Sequence, residues 1–175
     1  MVCPALGRKR VHDGVADRVA IGPDHLSVDR GFGYQDHVAP HTTSDLLFKG
    51  AVQDRAASVY TGLISIGEAA RGTAAYQTNR TLTLSDGAWA ESVPNLDIRT
   101  NDVKCSHAST VGPIDEDQRF YLESRGIRPE VAERLVVLGF FDEVINQLPA
   151  GALASDLRAR VSDKLDLGAL QGASA

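Results

Sequence analysis

Ser58-Val59-Tyr60-Thr61-Gly62-Leu63-Ile64-Ser65-Ile66 mixes apolar with polar positions and draws on Val, Tyr, Thr and Ile. That pattern favours an extended chain with one buried face. Similar runs follow at Ala75–Thr78, Arg80–Leu84, Leu96–Arg99 and Val103–His107, and strands are expected through 42–111. Breakers separate them: Gly67, Gly72, Asp86-Gly87, Pro94-Asn95 and Asn101-Asp102. Asp86-Gly87 suits a two-residue hairpin, and equally a corner between coils of a solenoid. The apolar pairs Ile64/Ile66, Leu82/Leu84 and Leu96/Ile98 return at offsets of 18 and 14, a loose repeat. It suits an irregular parallel β-helix, in which each coil buries one or two apolar side chains per strand, and equally an antiparallel sandwich.

Beyond Gly112 the apolar period lengthens to that of helices. Asp115 is the expected N-cap of a first helix, with Glu116, Asp117 and Gln118 in its first turn and Gly126 as its stop. Pro129 opens a second helix, whose Val131, Leu135, Leu138, Phe141, Val144 and Ile145 form one apolar face before Pro149. A third runs from about Gly151 to Leu167, with Leu153, Leu157, Val161 and Leu165 four apart. Two adjacent aromatics, Phe140 and Phe141, cannot both face one narrow stripe, so one ring is available for an outside contact. Residues 1–18 are unplaced, and 169–175 are expected to fray. Val19-Ala20-Ile21 and Leu26-Ser27-Val28 suit two short strands.

The chain has 175 residues, of which 43% are apolar, with a net charge of −5. The apolar share is that of a globular chain. The charge argues against a phosphate-backbone binder, and the run Arg8-Lys9-Arg10 is too short to change that. No apolar run approaches a membrane span, and no signal peptide is visible at the start. Cys3 and Cys105 stand far apart and in no CxxC pair, which fits a reducing cytoplasm.

Two groupings carry candidate chemistry. Asp36, His37 and His41 fall within six residues, but Pro40 makes the helix that would bring them together improbable. A structural role at a strand entry, with His and Thr hydrogen-bonded, is the plainer expectation. Cys105 and His107 are two apart in an expected strand and share a face. A thiolate and an imidazole so placed suit a soft or borderline metal, or a cysteine activated by histidine. A core cysteine beside an ordinary polar histidine is the bland alternative. There is no nucleophile elbow, phosphate-binding glycine loop or HExxH motif, so no nucleotide is expected on this chain.

Several longer stretches, in order, resemble one family. They are Asp36-His37-Val38-Ala39-Pro40-His41-Thr42-Thr43-Ser44-Asp45, Ala75-Tyr76-Gln77-Thr78-Asn79-Arg80, Ser92-Val93-Pro94-Asn95-Leu96-Asp97-Ile98, Asp102-Val103-Lys104-Cys105-Ser106-His107 and Phe120-Tyr121-Leu122-Glu123-Ser124-Arg125-Gly126-Ile127. Together they resemble the SufB/SufD family of iron–sulfur cluster assembly proteins, most closely the C-terminal part of its SufD branch. Lys104-Cys105-Ser106-His107 has that branch's form.

The resemblance implies a mainly β fold: right-handed parallel β-helix coils over 19–112, followed by a helical domain over 113–168. It implies a scaffold subunit, not an enzyme, of a cytoplasmic SufB–SufC–SufD complex. A SufB-like partner would meet the β-helix, and a SufC-like ATPase would meet the C-terminal helices. No nucleic acid or membrane partner is implied. Iron or a nascent iron–sulfur cluster would be held transiently, shared with the partner, at His107 and less securely at Cys105. Family members are substantially longer, so an N-terminally incomplete form is expected. Its rival is an interaction module or non-functional fragment that binds the ATPase and does no cluster chemistry. A small metal hydrolase using His37, His41 and His107 is a third possibility. Where the family motif has glycine this chain has Ala108, a costly exchange if that position needs a positive φ.

Overall fold

A computed structural model describes residues 9–12, 19–20, 28–147 and 151–172. Among the described residues eight strands come first: β1 (Lys9–His12), β2 (Val19–Ala20), β3 (Val28–His37), β4 (Thr43–Val52), β5 (Ala57–Ile66), β6 (Thr73–Thr83), β7 (Trp89–Ile98) and β8 (Val103–Gly112). Three helices follow: α1 (Glu116–Ser124), α2 (Pro129–Ile145) and α3 (Gly151–Gly172).

Successive strands alternate between two four-stranded sheets, ordered β1-β3-β5-β7 and β2-β4-β6-β8. Every neighbouring pair is parallel except β1 with β3. An antiparallel sandwich is thereby excluded for β3 to β8. Parallel strands are usually joined through crossover helices that cover both sheet faces. Here each connection leads into the other sheet, so the strands keep one inward and one outward face. Burial in β6 alternates accordingly, with Thr73, Ala75, Gln77, Asn79 and Thr81 buried.

The loose repeat now has a cause. Ile64 and Ile66 pair with Leu96 and Ile98 on β7. Leu82 lies in the other sheet, where it pairs with Ala51 and Gly112. The expected strands 75–78 and 80–84 are one strand, β6, because Asn79 turns inward without breaking it. Asp86-Gly87 is a corner between sheets rather than a hairpin. The corners stack: a Cβ at Gly87 would stand 2.6 Å from the Asp54 carbonyl oxygen, and Ser85 Oγ donates to that oxygen at 3.0 Å. On the opposite side His41 N donates to Arg71 O at 2.8 Å, and Gly72 N to Asp102 O at 2.7 Å.

Two apolar clusters result. Ile64, Ile66, Ala70 and Ala75 lie between the sheets, with Val103 and Cys105 against them. Ala51, Val137, Phe141, Ile145, Ala154 and Val161 join the second sheet to the helices. Asp115 caps α1 by accepting from Asp117 N at 2.9 Å, and Gly126 ends it at φ +85. The buried face of α2 is Ala132, Val137, Phe141 and Ile145. Val131 and Leu135, expected on that face, are exposed. Leu153 of α3 is likewise exposed. α3 continues through Gly172, into the segment expected to fray, since Ala169, Leu170 and Gln171 all favour helix. Residues 1–8, among them Cys3 and Arg8, lie outside the described residues, as do Ile21 to Ser27 and Pro149.

Candidate functional site

β7 and β8 are the last strands of their sheets. Their outer edges have no strand partner among the described residues, and their inward side chains are only partly covered. Leu96 and Ile98 on β7 are 40% and 41% exposed, although their partners Ile64 and Ile66 are fully buried. This open edge carries Cys105 and His107. The register sets Cys105 beside Ala75 and His107 beside Gln77, so both belong to the inward-facing column of β8. Cys105 is half-buried against the inner apolar cluster, whereas His107 is exposed. Burial pushes the Cys105 thiol up from its ordinary value, which disfavours the thiolate. His107 is therefore the readier donor of the two.

The other histidines are placed differently. His37 ends β3 and is buried. Its Nδ1 lies 2.6 Å from Thr42 Oγ1 and its Nε2 2.8 Å from Ser44 Oγ. Both ring nitrogens are thus engaged, and the imidazole closes a strand entry. His41 sits in the turn between β3 and β4 at φ 56, packed over Gly72. Among the described residues no three His, Cys, Asp or Glu side chains come together as a metal cluster. The hydrolase reading built on His37, His41 and His107 is not supported by this geometry. Ala108 lies within β8, and among the described residues the non-glycine positions with positive φ are His41 and Asp54. The glycine-to-alanine departure therefore carries no backbone strain here.

Sequence reasoning missed the polar lining beneath the open edge. Gln77 and Asn79 are each 2% exposed, yet neither side-chain amide has a hydrogen-bond partner among the described residues. Tyr60 Oη, Gln35 Oε1 and Ser92 Oγ share that condition. Each such group costs about 1–3 kcal/mol when buried without a partner. Burial also pushes the Tyr60 phenol up to about 12. Inward-facing Gln77 and Asn79, in step with Thr73 and Ala75, were the signal that could have revealed this lining.

On the helical side, a cavity of about 820 Å³ opens beside Lys49, Arg80, Tyr121, Leu135, Phe140 and Glu143. Phe141 is buried, while Phe140 lies edge-on to it and receives Lys49 Nζ at 4.3 Å from its ring centroid. The expected spare ring is thus engaged from within the chain. No helix among the described residues is long and apolar enough to cross a membrane.

The geometry defines a mainly β protein of alternating parallel sheets, with nitrogen and sulfur donors side by side on an open edge strand. The chain belongs to the SufB/SufD family: the profile described as SUF system FeS cluster assembly, SufBD core domain, matches residues 18–140. It is 42% identical over 140 residues to an iron–sulfur cluster assembly SufBD family protein of Mycobacterium tuberculosis, covering 75% of this chain and 35% of that one. The iron–sulfur cluster assembly protein SufD of Escherichia coli is 36% identical over 134 residues, covering 77% of this chain and 32% of its own. SufD of Bacillus subtilis is 36% identical over 129 residues, covering 74% and 30%. The chain thus spans about a third of the length of these curated relatives.

Proposed function

We propose that this chain acts as a SufD-like scaffold in cytoplasmic iron–sulfur cluster assembly, with His107 facing the cargo. One observation carries the reading: Cys105 and His107 share the inward column of an open edge strand. The alternation of strands between two parallel sheets supports coils of a right-handed parallel β-helix. Iron or a nascent cluster is the cargo rather than a resident cofactor. Imidazole nitrogen is a borderline donor suited to iron, and thiolate a soft one suited to clusters. Two donors do not complete a coordination sphere, so the remaining ligands belong to a partner. A SufB-like subunit covering β7 and β8 would supply them while burying Leu96 and Ile98. A SufC-like ATPase would dock on the helices and carry out ATP hydrolysis, this chain having no enzymatic step of its own. Phe120, 71% exposed on α1, is the better docking probe. Arg134, by contrast, is hydrogen-bonded to Ser162 of α3, so reversing a charge there would also disturb the helices themselves.

Complementation tests the reading, in cells dependent on the Suf pathway and with a full-length SufD carrying this sequence at its C-terminal end. His107→Ala should abolish cluster delivery while the three-subunit complex still assembles, and Cys105→Ala should be milder. Full activity in His107→Ala overturns the assignment. Loss of assembly recasts His107 as an interface residue.

A second reading, an interaction module without cluster chemistry, is favoured by the raised Cys105 thiol. It requires that iron binding be the same with and without His107, which an Fe(II) titration of the two chains decides.

A further inference from the structure

Three rows of side chains cross the outer face of the first sheet. Burial alternates along β5, with Tyr60, Gly62, Ile64 and Ile66 inward, so Ala57, Val59 and Thr61 point out. The register sets Val59 between Arg30 on β3 and Glu91 on β7. In the same way Thr61 stands between Phe32 and Val93, and Ala57 between Val28 and Trp89. The face is open and largely apolar: Phe32 is 61% exposed, and Val28 and Trp89 are each 51% exposed. These three side chains border a depression of about 610 Å³. Arg30 and Glu91 are exposed too, and neither has an ion-pair partner among the described residues. Val59 keeps their backbones two strand spacings apart, about 9.6 Å.

This face is complementary to itself. A second copy laid sheet to sheet, about a two-fold axis running along β5, sets β3 of each chain over β7 of the other. Arg30 then faces the partner's Glu91, and Glu91 faces the partner's Arg30. Phe32 meets the partner's Val93, and Trp89 enters the depression beside the partner's Val28. Such reciprocity is what an isologous contact requires. A two-fold axis across the strands would instead set Arg30 against the partner's Arg30, so charge selects the first arrangement. Farther along, Asp36, Ser65 and Asp97 form an acidic row that the same axis would set against itself. The contact therefore centres on Val59, and the crossing of about 30° between packed, twisted sheets parts that end.

We propose that this outer face docks a second copy of this chain, with Arg30 and Glu91 paired reciprocally across the two-fold axis. Three strands about 4.8 Å apart, in contact over about eight residues rising about 3.3 Å each, give a footprint of roughly 400 Å² per chain. A standard interface takes about 800 Å² per partner, so the dimer is weak, half-formed at about 10–100 μM. The axis turns the open edges of the two chains to opposite sides, and neither is covered.

The experiment is sedimentation of the whole chain across micromolar to submillimolar concentration. Emission of Trp89, the single tryptophan of the chain, is followed over the same range. A monomer–dimer equilibrium should appear, with emission moving to shorter wavelength as the dimer forms. Arg30→Glu and Glu91→Arg should each weaken association about tenfold or more, with the circular dichroism of the fold unchanged. An equal mixture of the two variants places opposite charges at both contacts and should restore the dimer. Phe32→Ser should weaken it without touching the charges. A chain that stays monomeric throughout overturns the proposal, as does a dimer whose tryptophan emission does not move. So does association that neither reversal weakens, or a mixture no better than its parts. A dimer kept in Arg30→Glu and lost in Leu96→Lys belongs to the open edge and likewise refutes it. Should a charge reversal unfold the chain, undiminished association in Phe32→Ser is the refuting result.

Discussion

Lys49 on β4 donates to the Phe140 carbonyl oxygen of α2 at 2.7 Å, and its ammonium lies over the Phe140 ring. This buried cation, also paired with Glu143, fastens the second sheet to the helical layer. Lys49→Met keeps the apolar stem and removes the cation. It should destabilise the chain by about 1–3 kcal/mol, read from the urea midpoint, because it removes a hydrogen bond to a charged donor. An unchanged midpoint would show that the contact contributes nothing.

Glu143 adds a pH dependence to the same joint. Its hydrogen bond to Lys49 holds its carboxyl below the ordinary carboxylate value. A depressed pKa stabilises the fold above the unfolded value, and that gain is lost as pH falls through the folded one. Wild type should therefore melt higher than Glu143→Gln at neutral pH, and the gap should narrow on acidification below the ordinary carboxylate range. Because Glu143 is half-exposed, the gap should also shrink in high salt. A gap independent of pH would show that Glu143 acts through packing alone.

Gly72 cannot be replaced cheaply. It sits at φ +69, and a Cβ would stand 2.4 Å from His41 Nδ1. Gly72→Ala should cost about 2 kcal/mol or more, combining left-handed strain with the clash. Adding His41→Ala should recover the clash but not the strain. Complete recovery, or none, in thermal melts of the double variant would contradict that division.

Tyr60 should be the last tyrosine to ionise. Its phenol, pushed up to about 12 by burial, should lag the ordinary value of about 10 in a spectrophotometric titration. A raised pKa stabilises the fold below the unfolded value, and this contribution is lost as pH rises toward 12. Alkaline unfolding should accompany that last step and move upward in Tyr60→Phe. Tyrosine titration in a single step near 10 would mean that the Tyr60 phenol is open to solvent.

Cys105 should alkylate slowly. Burial raises its thiol and shields it. With Cys3→Ser removing the other thiol, iodoacetamide should react more slowly than with a free cysteine at pH 8, and faster in urea. A fast native reaction would restore Cys105 to equal standing with His107.

Much of this architecture was legible, for local reasons. Asp115, Gly126 and Pro129 mark helix ends because capping needs only neighbouring backbone. Ile64/Ile66 and Leu96/Ile98 were visible as a repeat because they are register partners. The shift between sheets was not, since Leu82/Leu84 interrupts that repeat from the outer side of the second sheet, against the helices. β3 and β4 were harder still. Their inward positions hold Gln35, His37 and Ser44, residues that a period-two reading assigns to solvent. The same bias hid Gln77 and Asn79. Cys105 and His107 were readable as sharing a face, but their seat on an open edge depends on strand order, which no local pattern encodes.

The register between paired strands advances by 29 to 32 residues at each step. Every turn of the chain thus returns to nearly the same address in the cross-section. Insertions and deletions are consequently filtered by size. A single residue gained inside a strand reverses the faces of everything after it until a corner absorbs the slip. A block of about thirty residues leaves every address intact and only lengthens or shortens the stack. Relatives of this chain should therefore differ in length by whole storeys or by corner loops, and seldom by anything between.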